Sequence, residues 1–143
     1  MKIEDKKLTA NFKLYEFLKS ETAEKNKIDN TPNQEQLNNI AWTAEQLQLI
    51  RNTYKQPMFI TSGFRSEELN TAINGAKNSY HKKGLAVDIN QGSKTRNKNL
   101  FLLVKRMMKF GLPVDQVINE KDYSWVHIGF AKENPRLQVL HLK

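Results

Sequence analysis

The chain has no cysteine, so its fold uses no disulfide and no thiolate-bound metal. No apolar run approaches the length needed to span a membrane. No apolar segment of an export signal follows the charged start Met1-Lys2-Ile3-Glu4-Asp5-Lys6-Lys7. The expectation is a soluble product made in the cytoplasm without a signal peptide and not inserted in a membrane. Repeats, low-complexity tracts and nucleic-acid-binding motifs are also missing. Acidic residues are in deficit: 15 against 23 lysines and arginines, for a net charge of +8. A basic surface is attracted to polyanions, either nucleic acid or an anionic cell wall, or it is simply a solvated lysine-rich surface. Because the cations are scattered and no binding motif accompanies them, nucleic acid is not an expected partner.

A chain of 143 residues is long enough for one domain that buries roughly two-thirds of its unfolded surface. Residues 1–8 read as a loose start and 9–143 as a single domain, expected to be a monomer. Leu14, Phe17 and Leu18 have helical spacing, and the polar stretch 20–31 reads as a loop. Thr31-Pro32 with Gln34 resembles a capped helix start, and Leu37, Ile40, Ala41, Ala44, Leu47 and Ile50 then mark one face of a long helix to about Tyr54. Pro57 to Thr61 reads as a strand. Ser66 should cap a short helix with Leu69, Ala72 and Ile73 inward. Residues 91–98 read as a polar loop before a helix that carries Leu100, Leu103, Val104, Met107 and Met108 and stops at Gly111. Asp115–Asn119 and Trp125–Phe130 form two strands joined through Lys121 and Asp122, and Arg136–Leu140 adds an edge strand. The expected architecture is α+β, with helices packed on a small, mainly antiparallel sheet.

The chemistry concentrates in Ser79-Tyr80-His81-Lys82-Lys83-Gly84-Leu85-Ala86-Val87-Asp88-Ile89. Leu85, Val87 and Ile89 alternate as in a strand with one face in the core. The segment delivers His81 across a tight turn and presents Asp88 from the strand. Imidazole nitrogen and carboxylate oxygen suit zinc, and a catalytic zinc takes three protein ligands. His127 offers the third, on a strand where Val126, Ile128 and Phe130 face the other way. The bland alternative is two hydrogen-bonded structural histidines and an ordinary aspartate. A metal-activated water needs a base, and the carboxylates near His127 are Glu120 and Asp122.

Ser79 to Asp88, Trp125-Val126-His127 and the upstream Thr61-Ser62-Gly63-Phe64-Arg65-Ser66 resemble the zinc D-alanyl-D-alanine carboxypeptidase family. That family includes phage endolysins that cut L-alanyl-D-glutamate bonds, and its fold is related to hedgehog signalling domains. The resemblance runs from about Leu8 to Leu142. It implies zinc on His81, Asp88 and His127, and hydrolysis of a peptidoglycan stem-peptide bond that involves a D-amino acid. It also implies a substrate and oxyanion contact at Arg65, for which the alternative is a structural arginine paired with Glu67, Glu68 or Asp88. Ser79 matches a pocket-lining position, and Tyr80 and Trp125 could flank the pocket. Many members place a glutamate three residues before the last histidine. Here that residue is Ser124, and Glu120 resembles the base of the closest subgroup. Three readings follow: a zinc peptidase of the cell wall, reached through another protein's holin-type pore; a binding module on the same zinc fold; and, on charge alone, a nucleic-acid-binding domain.

Overall fold

The computed structural model describes residues 6–143. Of the loose start expected over 1–8, residues 1–5 lie outside the described part, and Lys7 pairs with Lys13 in an isolated bridge. The helices are α1 (Leu14–Leu18), α2 (Glu21–Lys25), α3 (Gln34–Tyr54), α4 (Glu67–Ala72) and α5 (Lys94–Met108), with a 3₁₀ turn over Tyr80–Lys83. The strands are β1 (Ile60–Ser62), β2 (Ala86–Ile89), β3 (Val114–Glu120), β4 (Trp125–Phe130) and β5 (Gln138–Leu142). They form one sheet in the order β1-β2-β4-β3-β5. Every pairing is antiparallel except that of β3 with β5, which is parallel. The α+β class read from the sequence is the observed one. Among the described residues no helix is long and apolar enough to cross a membrane.

The sheet has two unlike faces because strand side chains alternate. Val87, Ile89, Val126, Ile128 and Val117 are completely buried on one of them. α5 packs on β3 and β4, and α3 packs on α5. Ile40, Ala44, Leu47 and Ile50 of α3 and Leu100 and Val104 of α5 are likewise sealed from solvent. Each large side chain so buried contributes about 1.5–3 kcal/mol. Register then fixes the other face. Asp88 lies opposite His127, which lies opposite Ile118, and Trp125 lies opposite Glu120. Asp88, His127 and Glu120 therefore share the face that the helices leave open.

Local chemistry moves several boundaries. The cap of the long helix lies two residues after the expected one: the Asn33 side chain accepts from Gln36 N and the Gln36 side chain from Asn33 N, at 2.8 Å each. Thr31 instead bonds to the Asp29 side chain. Within the expected loop 20–31, Ser20 caps α2. Ser93 caps α5, so the helix takes up most of the expected 91–98 loop. β1 starts only at Ile60, because Phe59 N donates to the Gln91 side chain rather than to a strand. In α4 Leu69 is buried as expected, but Ala72 and Ile73 are exposed. Gly84 ends the 3₁₀ turn at φ +80°, and a Cβ there would come within 2.9 Å of Gln36 O and the Ile40 side chain. A residue without a side chain lets the His81 turn sit against α3.

Candidate metal centre

Three side chains converge on one carboxylate. His127 Nδ1 is 2.9 Å and His81 Nε2 3.3 Å from Asp88 Oδ1. The candidate ligand atoms of the three residues all lie within 4.8 Å of one another. Each residue arrives from a different element: His81 from the 3₁₀ turn, Asp88 from β2 and His127 from β4.

The two sides of the His81 ring are differently engaged. Nδ1 stands 2.7 Å from Gly63 O, and a carbonyl can only accept, so Nδ1 carries the proton. Burial pushes the imidazole pKa down, against the opposing pull of Asp88, and the ring is neutral. Nε2 is then a bare lone pair facing a carboxylate oxygen. Two acceptors face each other across 3.3 Å, an arrangement that a cation between them resolves. Ligands of a tetrahedral ion bound at about 2.0–2.1 Å stand about 3.3 Å apart, so the spacing also fits. A backbone carbonyl that fixes the tautomer is the usual support for a ligating histidine. For Asp88, burial alone would raise the pKa, but the hydrogen bond from His127 overcomes it and holds the carboxyl well below the usual carboxylate range. The set offers one anion and two imidazoles to a divalent metal.

Arg65 closes the other side of Asp88. Its Nη2 lies 3.2 Å from Asp88 Oδ2, and its Nε donates to Ser62 Oγ at 3.1 Å. Of its three candidate acidic partners, Asp88 is the one it meets; Glu67 bridges to Lys82. The Arg65 loop is pinned from below by the buried Asn30, whose amide donates to Leu18 O and Phe64 O and accepts from Ser66 N. Sequence reading passed Asn30 over, since an asparagine in a polar stretch carries no sign of burial.

A trough of about 490 Å³ opens over the cluster, lined by Arg65, Ser79, His81, Asp88, Glu120 and His127, with Tyr80 and Trp125 at its sides. All the expected site residues thus meet in one place. Glu120 lies one step along the sheet from His127, and burial raises its pKa, with His127 pulling it back. Asp122 is elsewhere: it is exposed and bridges to Lys94 at 3.3 Å. Ser124 turns its hydroxyl onto Lys121 O. The turn between β3 and β4 is unusual, for Lys121, Asp122 and Tyr123 all have positive φ, at 47°, 53° and 61°. Ser124 N closes it on Glu120 O at 2.9 Å. Asn97 of α5, fully enclosed, holds the turn by donating to Tyr123 O and Ser124 O. The trough also contains Asp115 and Arg136, which the sequence presented only as strand residues.

No curated protein matches the chain. The model of the peptidase M15 family matches residues 10–129, a span that includes every residue of the metal cluster together with Arg65, Ser79 and Glu120. The chain belongs to the peptidase M15 family, the zinc D-alanyl-D-alanine carboxypeptidase-like family of metallopeptidases.

Proposed function

We propose that this protein is a zinc peptidase that hydrolyses a peptidoglycan stem-peptide bond involving a D-amino acid. The observation that carries the reading is the convergence of His81 and His127 on Asp88, with Glu120 on the same open face. His81, Asp88 and His127 would hold zinc, whose Lewis acidity would polarise a carbonyl and make a water nucleophilic near neutral pH. Glu120 accepts the proton of the attacking water and passes it to the departing amine as the C–N bond breaks. A raised carboxyl pKa suits a group that must both take and give a proton. Arg65 is fixed at Nε and at one Nη, and its remaining N–H groups serve the oxygen that gains charge. Ser79 caps the His81 turn and forms part of the trough wall that receives the substrate. The protein works as a monomer, and its charge of +8 draws it to the anionic wall once it has passed through another protein's pore.

A second reading keeps the zinc site but assigns it to binding alone. It is favoured by Ser124, which supplies no carboxylate three residues before His127. Mass spectrometry of purified muropeptides after digestion separates the two. The peptidase reading requires new masses that name one cleaved bond, that disappear with a chelator and that return with zinc. Unchanged muropeptides with zinc bound would overturn it in favour of the binding module. Salt-sensitive DNA binding would be the mark of a nucleic-acid domain.

A further inference from the structure

The trough has a second charged centre besides the metal cluster. Asp115 is the extra residue of a β-bulge: Val114 pairs with Phe130 and Gln116 with Gly129, leaving Asp115 unpaired between them. Bulges re-aim a side chain and are common beside active sites. Here the bulge brings Asp115 to the trough while its carboxylate stays buried, its side chain 3% exposed. Arg136 grips it from the chain leading into β5. Its backbone N donates to Oδ1 at 2.9 Å, and Nε and Nη2 donate to Oδ2 at 3.0 and 2.6 Å. Hydrogen bonds from Arg136 hold the Asp115 carboxyl below its ordinary range.

The pair is lopsided. Asp115 is saturated and hidden, whereas the Arg136 side chain is 52% exposed and lines the trough. Two of the five guanidinium donors are used on Asp115, and the Tyr80 phenol stands beside them. Arg136 is thus a trough-lining cation held in orientation by a buried anion. The trough wall beside His127 carries no side chain at one position. The residue there is Gly129, where a Cβ would lie 3.6 Å from both His127 Nε2 and the Tyr80 ring. Gly129 is two residues from His127, about 6.6–6.8 Å along the strand. One extended peptide residue spans about 3.3–3.6 Å, so a group one or two residues from the scissile carbonyl reaches the fork.

We infer that Arg136, oriented by Asp115, is a carboxylate-binding subsite, and that the substrate carries a free carboxylate within two residues of the bond that is cut. This rests on the peptidase reading above and sharpens it. Two sources fit the same chemistry: the C-terminal carboxylate of a peptide ending in D-alanine, or the α-carboxylate of an internal γ-linked D-glutamate. Arg136 lies beyond the span that matches the family model.

The test compares kcat/KM on two matched substrate pairs. One is a peptide ending in D-alanyl-D-alanine and its C-terminal amide; the other is a γ-D-glutamyl peptide and its isoglutamine counterpart. The wild-type protein should prefer the acid in one pair by about 10- to 100-fold, the range of a charge-assisted bidentate contact, and that pair names the source. In Arg136→Gln the acid-to-amide ratio should fall to near one, with zinc content unchanged. If loss of the partner leaves Asp115 uncompensated and the variant unfolds, the double variant Asp115→Asn/Arg136→Gln keeps a neutral hydrogen-bonded pair and gives the same readout. A wild-type ratio near one in both pairs, or a preference that survives in the variants, overturns the subsite. A wild-type protein that cleaves nothing with zinc bound overturns the peptidase reading alone. The subsite is then decided by NMR titration with N-acetyl-D-alanine and N-acetyl-D-alaninamide. Tighter binding of the acid, lost in the variants, supports it; equal binding of acid and amide overturns it.

Discussion

Two aspartate–arginine pairs line the same trough, and they are built for opposite purposes. In Asp88–Arg65 the arginine makes a single contact with the carboxylate, at 3.2 Å, while two histidines share the other oxygen. In Asp115–Arg136 one arginine takes both oxygens through three donors. The first pair leaves an anion beside two imidazole rings, a place for a cation. The second uses up its anion and leaves the donors of the cation facing out. Whether an ion pair offers a positive or a negative group to a ligand thus depends on which partner is saturated.

The sharpest way to break this comparison is to neutralise each carboxylate in turn. Asp88→Asn should lose metal and lower turnover by more than a change at Glu120 or Arg65, as elemental analysis and muropeptide assays would show. Asp115→Asn should keep its metal and lose about 1–2 kcal/mol of stability in urea. That is less than the 3–5 kcal/mol of a fully buried pair, because Arg136 stays half in water. Full metal content in Asp88→Asn would dissolve the distinction.

Next in size is Glu120→Gln, expected to slow turnover about 10²- to 10⁴-fold with zinc retained, while Asp122→Asn at its exposed bridge stays within about twofold. The acid limb of the pH–rate profile should lie above 4.5, since burial raises the Glu120 pKa from that value. A limb below 4.5 would give the role to another group.

Arg65→Lys keeps the charge and loses the fork. It should lower kcat about 10- to 100-fold without displacing zinc. Full turnover in a variant that merely unfolds more easily would make Arg65 a structural partner of Asp88.

The smallest effect is thermodynamic and belongs to the chelator-treated protein. Folded His81 has its pKa below 6.5, so the unfolded chain binds that proton first. The stability His81 confers is complete above about pH 6.5 and declines as pH falls through that value. Asp88 and Asp115 have folded values below 3.8, so their contributions persist above that pH and vanish only in stronger acid. Glu120 has the opposite sign: its raised pKa makes its ionisation destabilising as pH rises from 4.5. Unfolding temperatures should therefore decline first near pH 6.5, and Asp115→Asn should lower them throughout the range above 3.8, keep the decline near pH 6.5 and lose part of the decline in stronger acid. A flat profile from pH 7.5 to 5.5 would mean that His81 confers no pH-dependent stability.

Alternation carried most of what the sequence revealed. Apolar residues at every second position of β2 and β4 oriented Asp88 and His127 correctly, because one face of each strand had to be buried. Spacing along α3 did the same for its core face. The failures share a cause. The start of α3 at Asn33 turned on which of several capping residues found its reciprocal partner, Gln36. Phe59 lost its strand to a side chain 32 residues away. Arg65 had three candidate acids, and only the sheet register brought Asp88 across. Asp115 and Arg136 were illegible because their meeting needs a bulge and a parallel edge strand, neither of which has a pattern that a linear reading can see.

The turn after Glu120 has a bearing on engineering. Three successive left-handed residues, none of them glycine, amount to one turn of a mirror-handed helix, and each costs about 1–2 kcal/mol relative to a relaxed backbone. Replacing Lys121 or Asp122 with glycine removes that cost and should raise the melting temperature. The same change gives the hinge beside Glu120 more conformational freedom, so the sturdier protein should also be the slower one. A search for heat-resistant variants guided by backbone geometry alone would select such substitutions early and give up rate for stability.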